Sequence, residues 1–197
     1  MSSPYHDPFG PGSNVKNRII RDHAKLSLVI ESLRTLGMKI VLTQGSYDLV
    51  HIGHARYLEA AKSKGDILVI GIDNDEKIRA RKGPERPVVP EDERMEMVSN
   101  LRHVDIVVPK TLKDPKWNLI KLIKPDVLVA TKETYSKKEL TDLKKYCGEV
   151  VVLERMATTS TSAKIRHLQI TTANKLERIL TPKILKVLQE TLKGIEG

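Results

Sequence analysis

Two histidines three residues apart, His51 and His54, enclose Gly53 at the end of the run Gly45, Ser46, Tyr47, Asp48, Leu49, Val50, His51, Ile52, Gly53, His54. An imidazole donates hydrogen bonds to phosphate oxygens, and a spacing of three at a helix start turns both rings toward one point. The first amides of a helix have no partner within it and give that end a partial positive charge, so such a start receives anions. Gly53 leaves room for a polyphosphate, and Gly45 lets the backbone approach one. A lone histidine in this place is an ordinary cap. Two around a glycine, following a glycine and Asp48, point to phosphate chemistry.

Further along, Ser160, Thr161 and Ser162 are suited either to ordinary capping of a helix start or to a second phosphate cradle, and the residues by themselves favour neither. Arg81, Lys82, Arg86 and Arg94 are cations in a segment expected to fold over the sheet edge, where Gly83 and Pro84 suggest a loop that closes on substrate. Arg81, Lys82 and Arg86 are the candidates for holding the acceptor or the triphosphate. Asp73 and Asp75 follow a strand at a place suited to sugar hydroxyls or to a turn. Trp117 and Tyr135 read as core or rim aromatics.

These groups need a frame. The strands read at 39–43, 67–72, 104–108, 126–130 and 149–153 are short, apolar and rich in β-branched residues, and helices near 53–64, 91–101, 115–123 and 136–146 separate them. Continuous apolar strands alternating with helices predict a five-stranded parallel, doubly wound (Rossmann-like) α/β sheet with flanking helices. Ligands of such sheets lie at the carboxyl ends of the strands, at the switch point. The histidine run leaves the first strand at that edge. Before the sheet, apolar residues from Val15 to Leu33 recur at helical spacing and predict one helix over 14–37, ended by Gly37. The expected organisation is a disordered leader over 1–13, that helix, an α/β domain over 38–168 and a helical appendage over 169–197; the tail from about 164 reads as one or two helices, the second opened by Thr181 and Pro182.

The chain has 197 residues, with 34 Lys and Arg against 25 Asp and Glu, a net charge of +9. That balance permits polyanionic partners. Nucleic acid is disfavoured, because aromatic residues make up 4% of the chain and do not alternate with its basic runs. The single cysteine, Cys147, has no partner for a disulfide or a thiolate metal site, and no apolar run is long enough for a membrane span, so a cytoplasmic protein with no membrane partner is expected.

The histidine run resembles the HxGH signature of the nucleotidyltransferase superfamily, in the Gly-x-Tyr-Asp-x-x-His form of its cytidylyltransferase-like branch. The stretch Lys82, Gly83, Arg86, Pro87, Val88, Pro90 and Arg94 is similar to that of heptose-1-phosphate adenylyltransferases, and Leu143 to Arg155 is similar to glycerol-3-phosphate cytidylyltransferases. Ser160, Thr161 and Ser162 resemble an element that both groups carry before their last helix. Where the heptose enzymes show Gly-Gly-Asp-Tyr, this chain has Thr131 to Tyr135. Where the cytidylyltransferases show Arg-Thr-Glu-Gly, Arg155 is followed by Met156, Ala157 and Thr158.

The resemblance implies transfer of a nucleoside monophosphate from an NTP to a phosphorylated small molecule, with release of pyrophosphate. His51 and His54 would be catalytic, while Gly45, Ser46, Tyr47, Asp48, Gly53, Arg155, Ser160, Thr161 and Ser162 would bind the nucleotide. Mg²⁺ would arrive with the NTP, with no metal bound by the protein itself, and a homodimer is implied. ATP with a sugar phosphate of the heptose-1-phosphate kind leads; CTP with glycerol-3-phosphate or a phospho-alcohol is the alternative.

Overall fold

In a computed structural model of the chain, residues 15–154, 156 and 161–195 are described. Five strands, β1 (Ile40–Gly45), β2 (Ile67–Asp73), β3 (Ile106–Lys110), β4 (Val127–Thr131) and β5 (Glu149–Leu153), form one parallel sheet in the order β3-β2-β1-β4-β5. The predicted strands lie within two residues of these. β1 is flanked by β2 on one side and by β4 on the other, so the order reverses at β1/β4 and a crevice opens above their carboxyl ends.

Both faces are covered. On one, α2 (His23–Thr35) places Leu26, Ile30 and Leu33 at helical spacing against Ile40, Leu42, Val69 and Val108, beside α6 (Asn118–Ile123). On the other, α3 (Ile52–Lys62) and α5 (Glu91–Ser99) bury Leu58, Ala61, Met95 and Val98 against Val41, Leu68, Ile70 and Val129. Two further helices, α4 (Asp75–Lys82) and α7 (Lys137–Leu143), follow β2 and β4. The Ser136 hydroxyl accepts the Glu139 amide and the Glu139 carboxylate accepts the Ser136 amide, a reciprocal cap.

Three features differ from expectation. The helix expected over 14–37 is two pieces, α1 (Val15–Arg18) and α2, because Ile19 leaves the helix to bridge Val107 beside β3 and Asp22 caps a fresh start by accepting the Ala24 amide at 2.8 Å. The segment after β2 forms a helix, α4, where a loop was expected. The chain divides between Thr158 and Thr159, and of the one or two helices expected in the tail the described residues form one, α8 (Thr161–Ile195), which runs through Pro182. The expected boundary after 168 therefore falls inside α8. The expected leader over 1–13 lies outside the described residues, which include no helix long and apolar enough to cross a membrane.

Candidate active site

The histidine run leaves β1 through a tight loop. Tyr47 adopts a left-handed backbone, φ 48°, unusual for a bulky side chain, and its buried ring fills the space that a Cβ on Gly45 would need, 2.9 Å from Tyr47 Cε2. Gly45 therefore makes room for the Tyr47 ring. Tyr47 in turn lies 5.3 Å from the His54 ring. Burial drives its phenol well above the ordinary value, so it stays neutral.

His51 caps α3. Its Nδ1 accepts the Gly53 amide at 3.1 Å, and His54 Nδ1 accepts the His51 amide at 3.3 Å, leaving the rings 4.1 Å apart. A nitrogen that accepts an N–H carries no proton of its own, so the backbone assigns the proton of each neutral imidazole to Nε2. Two Nε2–H donors thus stand at the start of a helix, at the carboxyl end of β1. Tyr57 fixes that helix to the switch point: its hydroxyl shares a hydrogen bond with Thr43 Oγ1 at 2.7 Å and donates to the Val129 carbonyl at 3.2 Å, and burial pushes its phenol up to about 12.

The neighbouring polar groups brace this loop. Ser46 Oγ accepts from Arg81 at 2.8 Å. Asp48 turns inward, accepting the Val88 and Val89 amides at 2.8 and 3.0 Å and pairing with Arg86 at 2.6 Å, so it ties the 86–89 segment to the histidine loop. Arg86 Nη2 is taken up by that ion pair, and its Nε is buried with no hydrogen-bond partner among the described residues. Lys82 is exposed, yet partial desolvation, with Arg81 and Arg86 adding, lowers its ammonium below the ordinary lysine value. Arg81, 3.0 Å from Asp73, also joins the histidine loop to β2.

Arg94 departs from the reading of it as a surface cation. It is fully buried, and its guanidinium donates to the carbonyls of Val89 (2.9 Å), Ser46 (2.6 Å) and Asp73 (2.9 Å) and pairs with Asp75 (2.6 Å). Asp73, 2% exposed, is held by Lys110, Arg81 and Lys77, so neither Asp73 nor Asp75 faces outward alone. Thr161 and Ser162 fall in the first turn of α8, while Arg155 and Ser160 lie outside the described residues. Sequence reasoning missed Tyr57 and the buried role of Arg94. The first could have been found from its place two turns into α3, facing the sheet with Leu58; nothing in the pattern around Arg94 marked it.

The comparisons with known proteins bear on the family and the fold. Residues 42–187 match the family model described as cytidylyltransferase-like. The chain belongs to the cytidylyltransferase-like family. It is 38% identical over 167 residues to the bifunctional protein HldE of Alcanivorax borkumensis, covering 83% of this chain and 34% of that protein. To the HldE of Nitratiruptor sp. it is 34% identical over 149 residues, 75% of this chain and 32% of that one. The chain thus spans about a third of the length of these relatives. Among solved structures, the lipopolysaccharide core biosynthesis protein of Thermoplasma volcanium matches with a TM-score of 0.52 and 27% identity, over 60% of this chain and 98% of its own. Pantoate-beta-alanine ligase of Francisella tularensis, at 0.58 and 16% identity over 83% of this chain and 78% of its own, shares the fold.

Proposed function

We propose that this cytidylyltransferase-like domain transfers a nucleoside monophosphate from an NTP to a phosphorylated small molecule. An acceptor phosphate oxygen attacks the α-phosphorus, the bond from Pα to the bridging oxygen of the β-phosphate breaks, and pyrophosphate leaves with the electron pair. The nucleophile arrives ionised, so no general base is needed. The site has to align two anions and receive the charge that grows on the α-phosphate. The observation that carries this reading is the pair of Nε2–H donors that backbone amides set at the α3 start, at the carboxyl end of β1.

Ser160, Thr161 and Ser162 would hold the departing pyrophosphate, and Arg81, Lys82 and Arg86 the acceptor or triphosphate. Mg²⁺ would arrive with the NTP and neutralise part of the triphosphate charge. ATP with a sugar phosphate of the heptose-1-phosphate kind is the preferred pair, supported by the Lys82 to Arg94 stretch and by the HldE relatives.

The test is thermal melting with Mg²⁺ and each of ATP, CTP, GTP and UTP, followed by pyrophosphate release with sugar-1-phosphates and glycerol-3-phosphate. A shift with ATP and turnover of a sugar phosphate is the expected result. A shift with CTP alone transfers the reading to a cytidylyltransferase. No shift with any of the four ends the transferase reading.

A further inference from the structure

The second unit of the chain carries charge and apolar surface out of proportion to its size. α8 holds seven Lys and Arg against two Glu, which is +5 of the net +9 of the whole chain. Every described side chain from Arg166 to Gln189 is exposed, among them Leu168 (65%), Leu176 (51%), Ile179 (45%) and Val187 (61%). Large apolar side chains exposed in a continuous row mark an interaction surface.

Their order is periodic. Lys164, Lys175 and Lys186 recur every eleven residues, and each is followed by an apolar residue, Ile165, Leu176 and Val187. Leu168 and Ile179, three residues beyond the first two of these, keep the same interval. Eleven residues close three helical turns to within about 20°. The repeat therefore draws one nearly straight apolar line along α8, with a column of lysines about 100° to one side. On the other side Leu180, Ile184 and Leu188, four apart and exposed, widen the apolar arc. Among the cations only Lys183 falls on the line itself.

The pattern selects the occupant. A coiled coil with a second copy needs an apolar heptad seam. A seam begun at Ile165 meets Thr172 and Lys186, and one begun at Leu168 meets Lys175, Pro182 and Gln189. Two such helices would also face each other with like charge. A groove on an acidic protein answers the charge but not the length: 35 residues run about 50 Å, more than a small domain spans. A flat anionic surface answers both. Lysine stems lie along apolar surface while their ammonium groups reach outward, so a lysine column beside the line sits at the level of lipid headgroups.

We propose that α8 lies along the surface of a membrane containing anionic lipid, with its apolar line in the acyl boundary and its lysine column among the headgroup phosphates. The lack of a spanning helix among the described residues bears on crossing a bilayer, not on lying along one. This association does not depend on the transferase reading.

The full chain is sedimented with vesicles of phosphatidylcholine alone and of phosphatidylcholine and phosphatidylglycerol in equal parts. It should pellet with the mixed vesicles only, and less as salt rises. Two paired variants separate the contributions. Lys175→Gln with Lys186→Gln should bind about tenfold more weakly, and Leu176→Ser with Val187→Ser should lose the vesicles. All four positions are exposed, so both variants should melt with the parent. Pelleting that survives the serine pair is adsorption by charge alone and overturns the proposal. Sedimentation velocity without vesicles covers the other occupants. A chain that ignores mixed vesicles at low salt, but forms a dimer that the serine pair dissociates, assigns the line to a second copy. One that ignores them and stays monomeric leaves an acidic protein as the occupant. Either result overturns the membrane surface.

Discussion

The two edges of the sheet use aspartate in opposite ways. At the amino edge Asp66, Asp105 and Asp126, each just before a strand, accept the amides of Lys39, Leu68 and Ile40 at 2.7–2.8 Å. Gly65 and Gly148 press loops against that edge, where a Cβ would stand 2.7 Å from the Lys39 and Asp126 carbonyls. At the carboxyl edge Asp48, Asp73 and Asp75 face arginines and lysines, and Arg94 and Lys77 donate to backbone carbonyls. Strand direction explains the contrast. Parallel strands present N–H groups at one edge and C=O groups at the other, so acids suit the first and cations the second.

Arg94 offers the strongest way to break that contrast. Arg94→Met strips donors from three carbonyls and leaves Asp75 unpaired, and a loss of about 3–5 kcal/mol in urea unfolding is expected. A midpoint close to the parent's would mean that the carboxyl edge stands without its brace. His54→Ala should lower pyrophosphate release by about 10²–10³-fold while the fold persists. A variant that keeps most of its turnover removes the proposed chemistry. Asp126→Ala sharpens the comparison from the other side, costing about 1–3 kcal/mol through the orphaned Ile40 amide. Its kcat should stay at the parent value, and a fall there would show that the edges are not separable.

Lys82 gives the smallest effect, less than about tenfold in Mg–NTP affinity. Its proton leaves as pH rises through a value below that of an ordinary lysine, so affinity should weaken early on the alkaline side. Lys82→Arg, whose guanidinium does not titrate in this range, should flatten that limb. An unchanged limb assigns the titration elsewhere.

The sheet was legible because β1 to β4 are buried on both faces and read as unbroken apolar runs. The α3 start was legible because two histidines around Gly53 stand out at the exit of an apolar strand. α4 was invisible because only Ile78 among its eight residues is buried, which leaves no periodicity to read. The break after α1 depends on Ile19 reaching Val107, a contact 88 positions away that no local pattern encodes. The burial of Arg94 was hidden for a similar reason. A long basic side chain enters a core when distant carbonyls and a carboxylate converge on it, and that convergence belongs to the fold.

Arg94 also bears on how the rim opens. One guanidinium binds the β1 exit, the β2 exit, the start of α4 and the 86–89 segment, which Asp48 binds again from the opposite side. None of these four pieces can detach by itself without stranding a charge in the interior. Amide hydrogens along this rim should therefore exchange with solvent only as fast as the whole sheet comes apart, which makes the rim one of the last parts of the domain to breathe.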